Sequence, residues 1–336
     1  MKKIKKEQLR IDAARTLRCD EASKSILLEQ LGQIEANLEG TKLGENIECL
    51  HALRVAVRRS RSLLNRLKGV FPPTIETRFS EELAWVGSIT TPVRDLDVYM
   101  IDYPQYRDSL GKHLRDDLAP LYDFLVANHN RVRNQLLIDL ESQRFKGFLV
   151  KWRNYLERPV PQRPTAPVAL FPIGEQADLR IWKTYSKVMN EGGVIKAKTP
   201  AEALHDLRKT CKKLRYLLEF FTPLYPAKDV VGLIKALKGL QENLGDFQDL
   251  DVQAETILRY SQEMMQAGEK RPEVFMAMGV LSESFKTRNI KVRKEFASRF
   301  KAFASTDIEQ VFRKLTGQKK VKVQKSKVSR KMIILR

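Results

Sequence analysis

The chain has 336 residues, 43% of them hydrophobic, and its 61 Lys and Arg outnumber its 41 Asp and Glu to give a net charge of +20. That length supplies apolar material for one large core or two ordinary ones. The charge selects anionic partners: nucleic acid, an anionic membrane surface or a phosphate-rich polymer. Cys19, Cys49 and Cys211 are odd in number and far apart. They exclude a disulfide framework and a CxxC zinc site, and they fit a reducing, cytoplasmic setting. The first residues, MKKIKKEQLRIDAARTLR, carry charge with no apolar run behind it, so no secretory signal is expected. No apolar run is long enough to span a bilayer, so no membrane insertion is expected.

Apolar residues recur every three or four positions almost throughout, which predicts an all-α protein. In chain order, helices are expected near 20–39, 46–69, 75–89, 93–103, 107–128 and 131–157. The run RPVPQRPTAPVALFP follows, too rich in proline for regular helix, and it reads as part of a linker over 158–175. Helices resume near 176–191, 200–221, 228–244, 247–267 and 272–303. From Gly317 onward eight basic residues occur with no acidic one, and this segment, 317–336, reads as a disordered basic tail.

The two halves match each other. A shift of 154 residues lays LHALRVAVRRSRSLLNRL (50–67) on LHDLRKTCKKLRYLLEFF (204–221). The same shift brings Phe71-Pro72 onto Tyr225-Pro226, and Arg94-Asp95-Leu96-Asp97-Val98 onto Gln248-Asp249-Leu250-Asp251-Val252. RFKGF (144–148) matches RFKAF (299–303) one residue out of step. One offset across several elements predicts duplication of a multi-helix unit. The expected architecture is two pseudo-symmetric antiparallel helical bundles, 1–157 and 176–316, each with its own apolar core.

On the first repeated helix, His51, Arg54, Arg58 and Arg61 fall within an arc of about 80°, opposite Leu53, Val57, Leu64 and Leu67. On the second, His205, Arg208, Lys212 and Arg215 repeat the stripe opposite Leu207, Cys211, Leu214, Leu218 and Phe221. Rows of like charge are unfavourable on a helix. A polyanion would relieve them, and successive cations about 5–6 Å apart along the axis suit the phosphates of a linear polymer. Arg59, Lys209, Lys213, Lys235 and Lys238 are secondary candidates, because the last four enrich the second copy. The competing reading is that neighbouring carboxylates neutralise the stripes, with the pairs Asp95/Asp97 and Asp249/Asp251 to hand. Those pairs are expected to open helices after Thr91-Pro92 and Gly245-Asp246, where carboxylates favour a helix start. His113 and His129 have no repeat counterpart and carry no assigned role. No metal site, cofactor or catalytic residue is assigned: there is no GxxxxGK[ST] loop and no carboxylate cluster placed to hold magnesium beside the stripe.

At HALRVAVRRSRSLL, HDLRKTCKKLRYLLEFF, VRDLDV and LGDFQDLDV the sequence resembles the CHAD family, the conserved-histidine α-helical domain. The resemblance spans roughly residues 20–305. It implies two helical bundles enclosing a central basic cavity or channel that binds inorganic polyphosphate, with possible targeting to polyphosphate granules. The binding groups carried over by position are His51, Arg54, Arg58 and Arg61 with His205, Arg208, Lys212 and Arg215. Lys212 departs from its partner Arg58 and gives up bidentate geometry. Three functions stay open: polyphosphate binding, non-specific nucleic-acid binding, and a role with or as an enzyme of phosphate polymers. Against nucleic acid, no aromatic residues interleave the stripe to stack bases.

Overall fold

A computed structural model describes residues 10–318, and among them it is all-α with no strand. The tail assigned from the sequence lies, beyond Gln318, outside the described residues. After a helical stretch at 10–15 come α1 (Cys19–Ala36), α2 (Leu38–Leu43), α3 (Ile47–Arg66), α4 (Pro73–Ser109), α5 (Ala119–Glu141) and α6 (Gln143–Glu157). The second half holds α7 (Ile173–Gly193), α8 (Ala201–Phe220), α9 (Ala227–Gln266), α10 (Pro272–Phe303) and α11 (Thr306–Leu315). The 154-residue shift carries the bounds of α3 onto those of α8 and the start of α4 onto the start of α9.

Helix α3 starts where the Asn46 side chain accepts a hydrogen bond from the Glu48 amide at 2.9 Å. It buries Leu50, Leu53, Val57, Leu63 and Leu64. Ser142 likewise caps α6 by accepting from the Phe145 amide, which splits the single helix expected over 131–157.

The larger departures are α4 and α9, each one long helix where the sequence suggested two. Pro92 and Pro104 both lie inside α4. Around Pro92 the backbone is supported by side chains: the Gly87 carbonyl accepts from Thr90 Oγ1 (3.1 Å), Thr91 Oγ1 (2.8 Å) and Arg54 Nη1 (3.1 Å). The carbonyl that Pro92 itself leaves without a helical donor is that of Ser88, one position later, so these bonds brace the turn before the proline and do not replace the missing one. In α9, Leu240, Leu244, Phe247, Leu250 and Ala254 are buried at unbroken helical spacing through Gly245. RDLDV and QDLDV therefore lie in mid-helix, and their aspartates do not stabilise helix starts.

The cores do not follow the halves. One apolar cluster joins Leu53 and Leu64 of α3 to Leu207 and Leu218 of α8, Trp152 of α6 and Phe312 of α11. A second joins Tyr106 of α4 and Leu121 of α5 to Ile257 of α9 and Phe285 of α10. A private core for each half is not seen, because the repeated helices bury apolar faces against each other as well as against their own neighbours. The proline-rich stretch is a packed strap. The Val168 amide donates to the Gly69 carbonyl, the Phe171 carbonyl accepts from the Cys19 amide, both at 2.9 Å, and Ala166 and Ala169 are buried.

Close packing makes a local prediction. A Cβ at Gly192 in α7 would overlap the Phe300 ring of α10. Gly192→Ala is expected to cost about 1–3 kcal/mol by overpacking, read as a lower midpoint in urea unfolding. An unchanged midpoint would mean the ring swings aside freely.

A candidate anion-binding trough

Helices α3 and α8 pack against each other in opposite senses. Arg59 lies 5.7 Å over the Phe220 ring and 3.5 Å from Glu219, while Arg66 lies close enough to Lys213 to act on its charge. Near the crossing Arg58 reaches across to Tyr216, 5.9 Å from the ring centre. Arg58 and Lys212, matched by the repeat, meet here.

Two cavities open beside this crossing. The smaller, ≈ 400 Å³, is lined by Arg58, Arg208, Lys212, Arg215 and Lys238, with Val55, Tyr216, Glu219, Gln241, Glu242 and His51. The larger, ≈ 830 Å³, adds Arg131 and Arg259, together with Asp95, Asp249, Tyr99, Tyr260 and several apolar side chains. His51, Arg58 and Arg208 line both. The two spaces thus share a wall of His51 and the cation Arg58 from α3 with the cation Arg208 from α8, one trough in effect.

Charge in the trough is only partly balanced. Arg208 donates to Asp249 at 2.9 Å, Arg215 to Glu219 at 2.7 Å, and Lys238 lies 3.4 Å from Glu242. Arg58 and Lys212 make no ion pair among the described residues. Burial, then Arg208 and Arg58, push the Lys212 ammonium down to about 8 against the pull of Asp249. Burial and the neighbouring Arg94, Arg58 and Arg54 hold the His51 imidazole below its ordinary range, Glu48 opposing. Polar atoms also wait for partners: buried Arg208 Nε and both side-chain atoms of Gln241 have none within the described residues. Such groups are rare without a ligand or water.

The remaining sequence candidates are placed as follows. Arg54 sits behind the trough wall, donating to the Gly87 carbonyl and to Thr90 and Thr91 Oγ1 (2.8 and 3.0 Å). His205 Nδ1 bonds Gln248 Oε1. Arg61 faces a separate cavity with Lys68, Glu76 and Glu81. Lys209 pairs with Asp206 at 3.2 Å, burial and the nearby cations Arg66 and Lys187 lower the Lys213 pKa, and Arg59 pairs with Glu219; these three and the exposed Lys235 line neither space. His129 proves to have a partner, its Nε2 lying 2.9 Å from Oδ1 of buried Asp97. Arg131 and Arg259 escaped the sequence reading because the repeat does not match them. Glu219 occupies the stripe position one turn beyond Arg215, so its pairing was readable. Among the described residues no group of three His, Cys, Asp or Glu is placed to hold a metal ion, and no helix is long and apolar enough to cross a membrane.

A family profile described as the CHAD domain matches residues 25–258. Among solved structures, the crystal structure of the CHAD domain from the plant Ricinus communis is similar at 24% identity and a TM-score of 0.71, over 87% of this chain and 93% of that one. PptA from Streptomyces chartreusis is similar at 16% identity and a TM-score of 0.65, over 85% of this chain and 100% of that one. No curated protein matches.

Proposed function

The chain belongs to the CHAD domain family, and from that premise we propose that it binds inorganic polyphosphate in the trough between its two repeated helices, without altering the polymer chemically. The observation that carries this reading is that His51, Arg58 and Arg208 line both cavities. Cations from two related helices thereby converge on one path. Arg58, Lys212 and Arg215 supply charge along it, and Arg208 Nε and the Gln241 amide supply unspent hydrogen-bonding capacity. Arg54 and His205 act as positioning residues. The repeat is read as a duplication whose approximate two-fold axis passes between Arg58 and Lys212. A linear chain of phosphates has no polarity to match, so a two-fold receptor suits it. In a cytoplasmic setting such a binder would sit on phosphate storage granules.

Binding is tested by titrating medium-chain polyphosphate into the full chain at fixed ionic strength, with single-stranded DNA as competitor. Polyphosphate held in the presence of equal phosphate equivalents of DNA supports the reading; preferential retention of DNA makes the trough a nucleic-acid surface instead.

The trough also has an expected pH response. Lys212 is charged at pH 7 and loses its proton as pH rises through about 8. An anionic ligand favours the protonated form, so affinity falls between pH 7 and pH 9 and binding takes up protons near pH 8. Lys212→Arg keeps the charge throughout, and calorimetry should then show a flatter profile. A decline of equal size in that variant would assign the titration to another group.

A further inference from the structure

The larger cavity is built for more than a bare phosphate chain. Its wall includes the apolar side chains of Pro92, Val98 and Val252, and Val252 is 46% exposed. An inorganic polyphosphate gains nothing from such surface. Asp95 also faces this space and makes no ion pair among the described residues, although Arg54, Arg259 and Arg94 act on it from further off. A carboxylate left unpaired repels phosphate but accepts hydrogen bonds from hydroxyl or amino groups. Arg259 lies 5.3 Å from the Tyr260 ring centre and 3.7 Å from Glu263, which also lines this space, and Tyr99 meets the Tyr260 ring edge-on at 5.7 Å. A guanidinium anchored beside an aromatic ring and a carboxylate can still stack on a second planar ring that enters from the cavity. The volume, ≈ 830 Å³, lies within the range of small-molecule sites.

We propose that this compartment receives the nucleoside end of a nucleoside polyphosphate, whose phosphates run past Arg58 and Arg208 into the smaller cavity. The inference rests on the anion-binding reading of the trough. The base packs against Arg259 and Val252, and Asp95 accepts from the sugar hydroxyls. Arg131 supplies a further cation at the same wall.

Calorimetry on the full chain, without divalent metal and at matched ionic strength, compares ATP and adenosine tetraphosphate with inorganic tripolyphosphate and tetrapolyphosphate. The nucleoside compounds should bind at least about tenfold tighter than inorganic chains of equal phosphate number, as one charge-assisted hydrogen bond would give. Val252→Arg fills the apolar wall with charge and should reverse that preference. Asp95→Asn, a change of nearly constant shape, should lower only the nucleoside affinities. Circular dichroism establishes that both variants fold. Equal affinities for ATP and tripolyphosphate, or variants that weaken both classes alike, would overturn the inference. Failure of every anion to bind the folded wild-type chain would instead overturn the reading beneath it.

Discussion

Reversing Arg58 and Arg208 to glutamate together abolishes polyphosphate binding and leaves the helical content unchanged. These two side chains and His51 form the wall common to both cavities, so no path through the trough avoids them. Each charge-assisted hydrogen bond lost costs about 2 kcal/mol. Two losses alone weaken affinity by about 10³-fold, and the new carboxylates add repulsion. Arg58 is exposed; the Arg208 side chain is only 19% exposed but ends in both cavities beside Asp249, itself largely exposed, so the two carboxylates can part into open space and the fold is kept. Arg54 is the wrong residue for this test despite its place in the stripe. Its guanidinium holds the proline turn of α4 through three acceptors, so Arg54→Glu would set a carboxylate against a carbonyl and disturb the fold. The measurement is polyphosphate affinity by calorimetry beside far-ultraviolet circular dichroism. Retained affinity in the folded double variant would remove the trough as the site.

Trp152→Ala is expected to destabilise the chain by about 3–5 kcal/mol, the usual cost of emptying a large aromatic site. Trp152 is fully buried, 4.1 Å from the Phe79 ring centre and stacked on Tyr155 at 6.0 Å. The informative part is the shape of the transition. Trp152 belongs to the same apolar cluster as Leu207 and Phe312 of the other half. Chemical denaturation followed by aromatic fluorescence and by circular dichroism should therefore show one coincident, shifted transition. A first half that melts alone, leaving the second intact, would show that the halves fold separately.

Much of this was legible in the sequence, and the reasons are physical. Stripe and core of α3 and α8 lie on one element each, so helical periodicity sorts His51, Arg58, Arg208 and Lys212 from Leu53 and Leu207 without knowledge of neighbours. Continuity of α4 through Pro92 was not legible, because an interior proline removes a helical hydrogen bond and ordinarily ends or kinks the helix. Gly245 likewise carried less weight than the regular spacing of Leu240, Leu244 and Phe247 around it. The larger cavity was hidden for another reason: Arg131 on α5, Arg259 on α9 and Asp95 on α4 meet only through tertiary packing. Matching one half against the other discards what the halves do not share. The partner of His129, Asp97, is 32 positions away in sequence.

The interleaving of the two halves bears on how the protein is made. When residues up to α6 have left the ribosome, Leu53, Leu64 and Trp152 lack the α8 and α11 side chains that later cover them, and Tyr106 and Leu121 await α9 and α10. The nascent chain thus displays sticky surface for as long as about 150 further residues take to appear, roughly ten seconds or more at ordinary elongation rates. A holding chaperone, or slow concentration-dependent clumping in its absence, is the natural companion of such a design.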